Sequence, residues 1–351
     1  MAVSSGPDVV DPIKASTLLS LEGGGSLRQP ATTTPPNPRN REIRIDGLNN
    51  RLAAVWTGGR VVGVGSSGLN EDDVGQEKTL LSLHIVAATL LGDHARRQYT
   101  NRQFSINASV PLPPLPPTVY TVVPHTYQTI PLLHALLAEK LSDSATAVEL
   151  LKDVRLLQYF DFAGLAEALS EVSEEIFQRV NSGSKETSNG KVRDVVLVQG
   201  LGHAISAIQR RSGLVQANAL LAGLVRNITQ LSRMSPNVLV LVDVSVETGW
   251  PASGEARQDA AKSKRHIAGI ELDSAFASSF GECLRMICGH ETLSKTLDVA
   301  FDTMVVVHDG LGRADGAVRA RKKAGRRIVE ITKDRMGDLS GFWGMWSLND
   351  P

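Results

Sequence analysis

The sequence predicts an α/β fold: a mostly parallel central sheet with helices on both faces. Two patterns predict it. Six continuous apolar runs read as buried strands, at Val61–Val64, Val119–Val123, Val195–Val198, Val238–Val242, Met304–Val307 and Ile328–Ile331. Between them lie segments with apolar residues at three- and four-residue steps and polar residues on the opposite face, the mark of amphipathic helices. Strands separated by helices must cross over to pair, which makes neighbours parallel and covers both faces of the sheet. In such a sheet ligands sit beyond the carboxyl ends of the strands.

The elements follow in order. Residues 1–41 read as an N-terminal arm, where Asp11 to Leu21 is long enough for one short helix. Gly23-Gly24-Gly25 and the run from Thr32 to Pro38 are linker chemistry. Residues 42–351 read as one core domain. Lys78 to Leu91 is strongly apolar and opens the first helix. Phe162, Leu165, Leu169, Val172, Ile176 and Val180 form one helical stripe, and Leu221, Leu224, Val225, Ile228 and Leu231 another. Two long loops are expected. One runs from Asp93 to Thr118 and ends in Pro-Leu-Pro-Pro-Leu-Pro-Pro; the other, Ser245 to Leu272, carries Lys262, Lys264, Arg265 and His266.

Composition excludes several function classes. With 37 basic and 37 acidic side chains in 351 residues, the chain carries no global charge to hold nucleic acid or an anionic surface, so local patches must do so. Cys283 and Cys288 are too few for a disulfide framework or a zinc site. No apolar run reaches transmembrane length and no secretion signal opens the chain, so a soluble intracellular protein is expected, with no membrane partner.

The stretch from Gly59 to Gly68, followed by Lys78-Thr79 and an apolar run, has the layout of a phosphate-binding loop. Glycines let backbone N–H groups converge on an anion, a helix N-terminus adds positive potential, Lys reaches terminal phosphates and Thr holds Mg2+. Yet residues 72–79 read DDVGQEKT, so Asp72 and Glu77 stand where the motif has glycine. Only Lys78 and Thr79 match it. Gly63-Val-Gly65-Ser-Ser-Gly68 also fits G-x-G-x-x-G, but that pattern needs a helix immediately afterwards, and Leu-Asn-Glu-Asp-Asp follows instead.

The order of segments resembles the RecA-type recombinase ATPases, specifically the eukaryotic recombinase paralogues of homologous recombination. Ile43 to Leu52 is similar to the segment that precedes the family's nucleotide loop, and Lys78-Thr-Leu-Leu-Ser-Leu-His84 to the helix after it. Leu151 to Phe162 is similar to the connection between the second and third core elements. Val195-Val-Leu-Val-Gln-Gly200, then Arg210-Arg-Ser-Gly-Leu214, then the helix through Leu231, then Asn237 to Val242 resembles the Walker B strand, first DNA loop, helix and sensor strand. Ile328 to Gly337 resembles the closing hairpin. The resemblance covers residues 42–348.

It implies a RecA-like P-loop fold with a C-terminal antiparallel hairpin, and a nuclear protein of DNA recombination and repair. The cofactors it implies are ATP and Mg2+; the partners are DNA, single-stranded or junction, and other recombinase-family subunits. Nucleotide contact falls on Gly65, Ser66, Ser67, Gly68, Gly75, Lys78 and Thr79. DNA contact falls on Arg210 and Arg211 in the first loop and on Lys262, Lys264 and Arg265 in the second. The departures are equally specific. Gln199 stands where the family has a Mg2+-ordering Asp, and Pro124-His125 where it has a catalytic Glu. The sensor strand ends in Asp243, so Thr79 and Asp243 are the Mg2+ ligands that the resemblance leaves; a scaffold subunit without catalysis and an unrelated P-loop nucleotide-binding enzyme are the alternative readings. A further basic cluster, Arg319 to Arg327, lies between the last two apolar runs.

Overall fold

The structure is a computed structural model that describes residues 43, 45, 48, 50–67, 80–104, 119–181, 194–249, 276–280, 283–308 and 326–347. The expected arm helix at Asp11 to Leu21, Gly68 to Thr79, the Pro-rich run and Lys262 to Arg265 lie outside the described residues.

The apolar runs all form strands. β1 is Arg60–Ser67, β2 Val119–Pro124, β3 Val154–Tyr159, β4 Asp194–Val198 and β5 Val238–Gly249. After them come β6 (Phe276–Ala277), β7 (Cys283–Met286), β8 (Thr303–His308), β9 (Arg326–Asp334) and β10 (Trp343–Ser347). They make a 10-stranded sheet in the order β10-β9-β8-β1-β5-β4-β2-β3, with β7 pairing β5 and β6 beside that path. From β3 to β8 all neighbours are parallel, whereas β8–β9 and β9–β10 are antiparallel. A mostly parallel sheet flanked by helices, closed by an antiparallel hairpin, is therefore the architecture.

Side chains alternate along each central strand, so each strand feeds two cores. On one face Val62, Val64, Leu197, Leu239 and Val305 pack against α1 (Leu80–Phe104), α2 (Thr129–Leu141) and α3 (Ser144–Leu151). On the other, Val61, Val196, Val240 and Val306 pack against α4 (Phe162–Asn181), α5 (Leu201–Ser212), α6 (Leu214–Arg233) and α7 (Glu291–Ala300). The α6 stripe from Leu221 to Leu231 is buried throughout. The α4 stripe is buried through Ile176, but Val180 is exposed, because by then the helix has run past the sheet.

Three differences from the sequence reading have physical causes. α1 continues beyond Asp93 to Phe104: Ala95-Arg-Arg-Gln favours helix, and nothing there breaks it. β5 continues through Ser245 to Gly249 instead of becoming a loop, since Val244, Val246 and Thr248 alternate with polar residues and β7 pairs with them antiparallel. β3 was not among the apolar runs. It is the edge strand, and its Val-Arg-Leu-Leu-Gln-Tyr is only half covered.

A polar seam fixes α4 to that edge. Glu171, Glu175 and Arg179 recur every fourth residue and so share one helical face. Arg155 of β3 pairs with Glu171 and Glu175, Tyr120 Oη donates to Glu175 Oε1 at 2.9 Å, and Arg179 Nη1 donates to Asp194 Oδ1 at 2.6 Å. No helix among the described residues is long and apolar enough to cross a membrane.

Candidate nucleotide site

The candidate site lies at the carboxyl rim of β1, β4 and β5. β5 flanks β1, so Asp243 sits opposite Val64, one strand from the root of the candidate loop, as the resemblance implied. The glycine-rich turn expected from Gly59 is strand as far as Ser67. Gly65 pairs in register with Val244 on one side and Val306 on the other. A side chain at Gly65 would come within 2.5 Å of Val246 Cγ2 and 2.9 Å of Met304 Cε, so this glycine admits the neighbouring core. With Gly63 and Gly65 inside β1, the dinucleotide pattern has no turn to work with. Ser66 is buried in β1, and Ser67 ends the strand. Gly68, Gly75, Lys78 and Thr79 lie outside the described residues, immediately before α1.

At the end of β4 the structure brings together residues far apart in sequence. Gln199 is fully buried. Its Nε2 donates to Asp243 Oδ2 at 2.7 Å, and its Oε1 accepts from Thr129 Oγ1 at 2.6 Å. Its backbone is held as firmly: the N–H donates to the Val122 carbonyl at 3.0 Å, and the carbonyl accepts from Tyr159 Oη at 2.6 Å. The second Asp243 oxygen, Oδ1, accepts from Ser82 Oγ, one turn into α1. Ser82, Gln199 and Thr129 thus form one chain of hydrogen bonds with Asp243 inside it. A buried amide satisfied at both ends has one orientation, and this one points its NH2 at the carboxylate.

Electrostatics follow from that enclosure. Desolvation pushes the Asp243 carboxyl up to about 7, and the hydrogen bonds from Gln199 and Ser82 oppose the rise. Burial raises the Tyr127 phenol, and the Asp243 charge raises it further. Burial likewise raises Tyr159, with Tyr127 adding to it.

These residues do not fit Mg2+. That ion needs near-octahedral oxygen ligands with carboxylates free to face it. Here one carboxylate has both oxygens engaged, and the amide beside it presents donors, which repel a cation. Among the described residues no group of three or more His, Cys, Asp or Glu side chains could hold a metal. Of the expected Mg2+ pair, Asp243 accepts hydrogen bonds from Gln199 and Ser82, and Thr79 lies outside the described residues. Pro124 ends β2 and His125 is exposed, stacking on Phe160 at 4.4 Å.

The expected DNA residues divide. Lys262, Lys264 and Arg265 lie outside the described residues, as do Arg319 to Lys323. Arg210 and Arg211 are exposed in the last turn of α5, which ends at Gly213 with φ 83°. They were expected in a loop. The helix instead runs through them, because two cations in its last turn complement the helix dipole and Gly213 supplies the stop.

Sequence reasoning had singled out Gln199 and Asp243 but missed Ser82, Thr129 and Tyr159. Ser82 alone carried a signal, standing four residues after Lys78 in the sequence. His84 is buried edge-on against Trp346 at 5.0 Å. Trp346 is fully buried, as core packing required.

No family model and no curated protein matches the chain. Among solved structures it is similar to one described as the crystal structure of the RadB recombinase, with a TM-score of 0.43 and 13% identity over 84% of this chain and 89% of that one. The fold class rests on the sheet itself.

Proposed function

We propose that this is a RecA-like protein of DNA recombination and repair, acting in the nucleus as a subunit that does not hydrolyse ATP. The observation that carries the catalytic half is the Gln199–Asp243 hydrogen bond at 2.7 Å. Phosphoryl transfer depends almost wholly on positioned charge: a metal held by carboxylate, and a residue that orients the nucleophile. Here the carboxylate is tied to a neutral amide, and by the resemblance Pro124-His125 stands where the family has its Glu. ATP contact then falls to Lys78 and Thr79 without a built metal site. The recombination half of the reading comes from the order of segments in the sequence.

The partner is a recombinase-family subunit. Among the described residues β3 ends the sheet with no strand beyond it, so its outer N–H and C=O groups are suited to an added strand. Beside it lies an open groove of about 620 Å³ lined by β3 and α4, where Leu156 and Phe160 stand near acidic Asp161 and Glu167 while Glu171 is paired with Arg155. That lining fits an extended segment with an apolar anchor and basic flanks. DNA contact through Arg210 and Arg211 belongs to the same proposal.

Equilibrium titration with ATP tests the nucleotide claim. Binding is expected to be weak, reduced in Lys78→Ala, and changed less than about twofold by Mg2+, since both Asp243 oxygens are hydrogen-bonded within the protein. Tightening of tenfold or more by Mg2+ would overturn the reading.

A further inference from the structure

Glu330, in β9, is fully buried, so its carboxylate must find donors inside the protein. It finds three. Ser278 Oγ donates to Oε2 at 2.6 Å, the Ser279 N–H to Oε1 at 2.5 Å, and His308 Nε2 lies 2.8 Å from Oε2. His308 is itself 3% exposed. Two of those donors come from one short segment, Phe276 to Phe280. Its first two residues pair with β7, which pairs in turn with β5. Its other end rests on the C-terminal hairpin: Ser279 Oγ donates to the Gly341 carbonyl at 3.1 Å, and the Phe280 ring lies edge-on to His308 at 5.5 Å and Trp343 at 5.6 Å.

β1 and β8 lie between β5 and β9 in the sheet. Residues 276–280 therefore tie together two parts of the sheet that do not touch each other. Among the described residues the tie is thin: two ladder pairs at one end, and the Glu330 carboxylate, the Ser279–Gly341 hydrogen bond and the Phe280 ring at the other. By contrast Leu284 and Met286 of β7 are buried in the main core. His308 also pairs in register with Ser67, the last residue of β1 before the candidate loop.

We propose that residues 276–280 are a strap latched by Glu330, which can lift from the sheet without unfolding it and so uncover the Glu330–His308 pair at the rim of β8 and β9. Ser278 is the strap's side of the latch and Glu330 the sheet's side. Elements that open locally are those held by few ladder bonds; the strap has two ladder pairs among the described residues, whereas β7 pairs with both β5 and β6. The inference does not depend on nucleotide or DNA binding.

Two readouts on the full chain test it. Hydrogen exchange followed by mass spectrometry is measured on wild type, Ser278→Ala and Glu330→Gln. Ser278→Ala removes a strap donor and leaves the sheet side untouched; Glu330→Gln faces the Ser279 N–H with a second donor. Both are expected to raise exchange at 277–280 by about tenfold while β2 and β4 stay protected. In parallel, diethyl pyrocarbonate labelling of His308 should be slow in wild type and several-fold faster in Ser278→Ala. Wild-type exchange at 277–280 and wild-type His308 labelling in Ser278→Ala would overturn the latch. Loss of protection spread equally over β2, β4 and the strap would overturn the claim that it opens alone.

Discussion

Gln199 Nε2 lies 2.7 Å from Asp243 Oδ2, and through that bond the end of β4 is fastened to β5 at the rim where a RecA-type site would order its metal. The amide is fully buried and spends its other end on Thr129. Substituting Leu for Gln199 strands two groups at once, the half-buried Asp243 oxygen and the buried Thr129 hydroxyl. A loss of about 3 kcal/mol follows from the cost of unsatisfied buried polar groups. Urea unfolding of Gln199→Leu measures it, and a loss below about 1 kcal/mol would mean that the network contributes little.

The pH dependence of stability carries the same site's signature. Asp243 is raised from 3.8 to about 7 in the fold. A carboxyl raised on folding binds its proton more tightly when folded, so its stabilisation is full below the unfolded value and is lost as pH rises through the folded one. Stability should therefore decline between about pH 4 and pH 7, by on the order of 4 kcal/mol for this shift. Asp194, raised to about 6 chiefly by burial, adds to the decline. Asp243→Asn should flatten the Asp243 part alone, read as the difference between the two proteins' unfolding free energies across that range.

Gly200 holds the turn that follows Gln199. Its φ is 73°, and a methyl there would collide with Pro124 Cγ and lie 2.8 Å from Tyr159 Oη. Gly200→Ala combines backbone strain with overpacking and should cost about 2–4 kcal/mol. It should also displace Tyr159 from the Gln199 carbonyl, visible as a change in tyrosine near-ultraviolet absorbance.

Salt dependence tests the DNA contact. Each phosphate neutralised by a cation contributes about 0.9 to the slope of log affinity against log salt on duplex and about 0.7 on single strands. Replacing Arg210 and Arg211 with Ala should lower the slope for single-stranded DNA by about 1.4. An unchanged slope would remove the end of α5 from the interface.

Most of the sheet was legible because buried parallel strands must be nearly all apolar, and Val195–Val198 and Val238–Val242 are. The edge was not. β3 is covered on one side only, so Arg155 and Gln158 interrupt its pattern, and Leu156 stays 40% exposed. β6 and β7 are too short to show a period. At the site, the identity of Gln199 was visible as a departure, but its meaning was not. Thr129, Gln199 and Asp243 are separated by 70 and 44 residues, and only the parallel order β2, β4, β5 brings them within hydrogen-bonding range. The strap was hidden for the same reason, since Ser278 and Glu330 are 52 residues apart.

Steady-state ATP hydrolysis, measured with Mg2+ and saturating single-stranded DNA on wild type and Lys78→Ala, tests the central claim most directly. Equal rates at the uncatalysed background are predicted, because the carboxylate that should order the metal is hydrogen-bonded to Gln199 and Ser82 instead. DNA-stimulated turnover in wild type that vanishes in Lys78→Ala would contradict it.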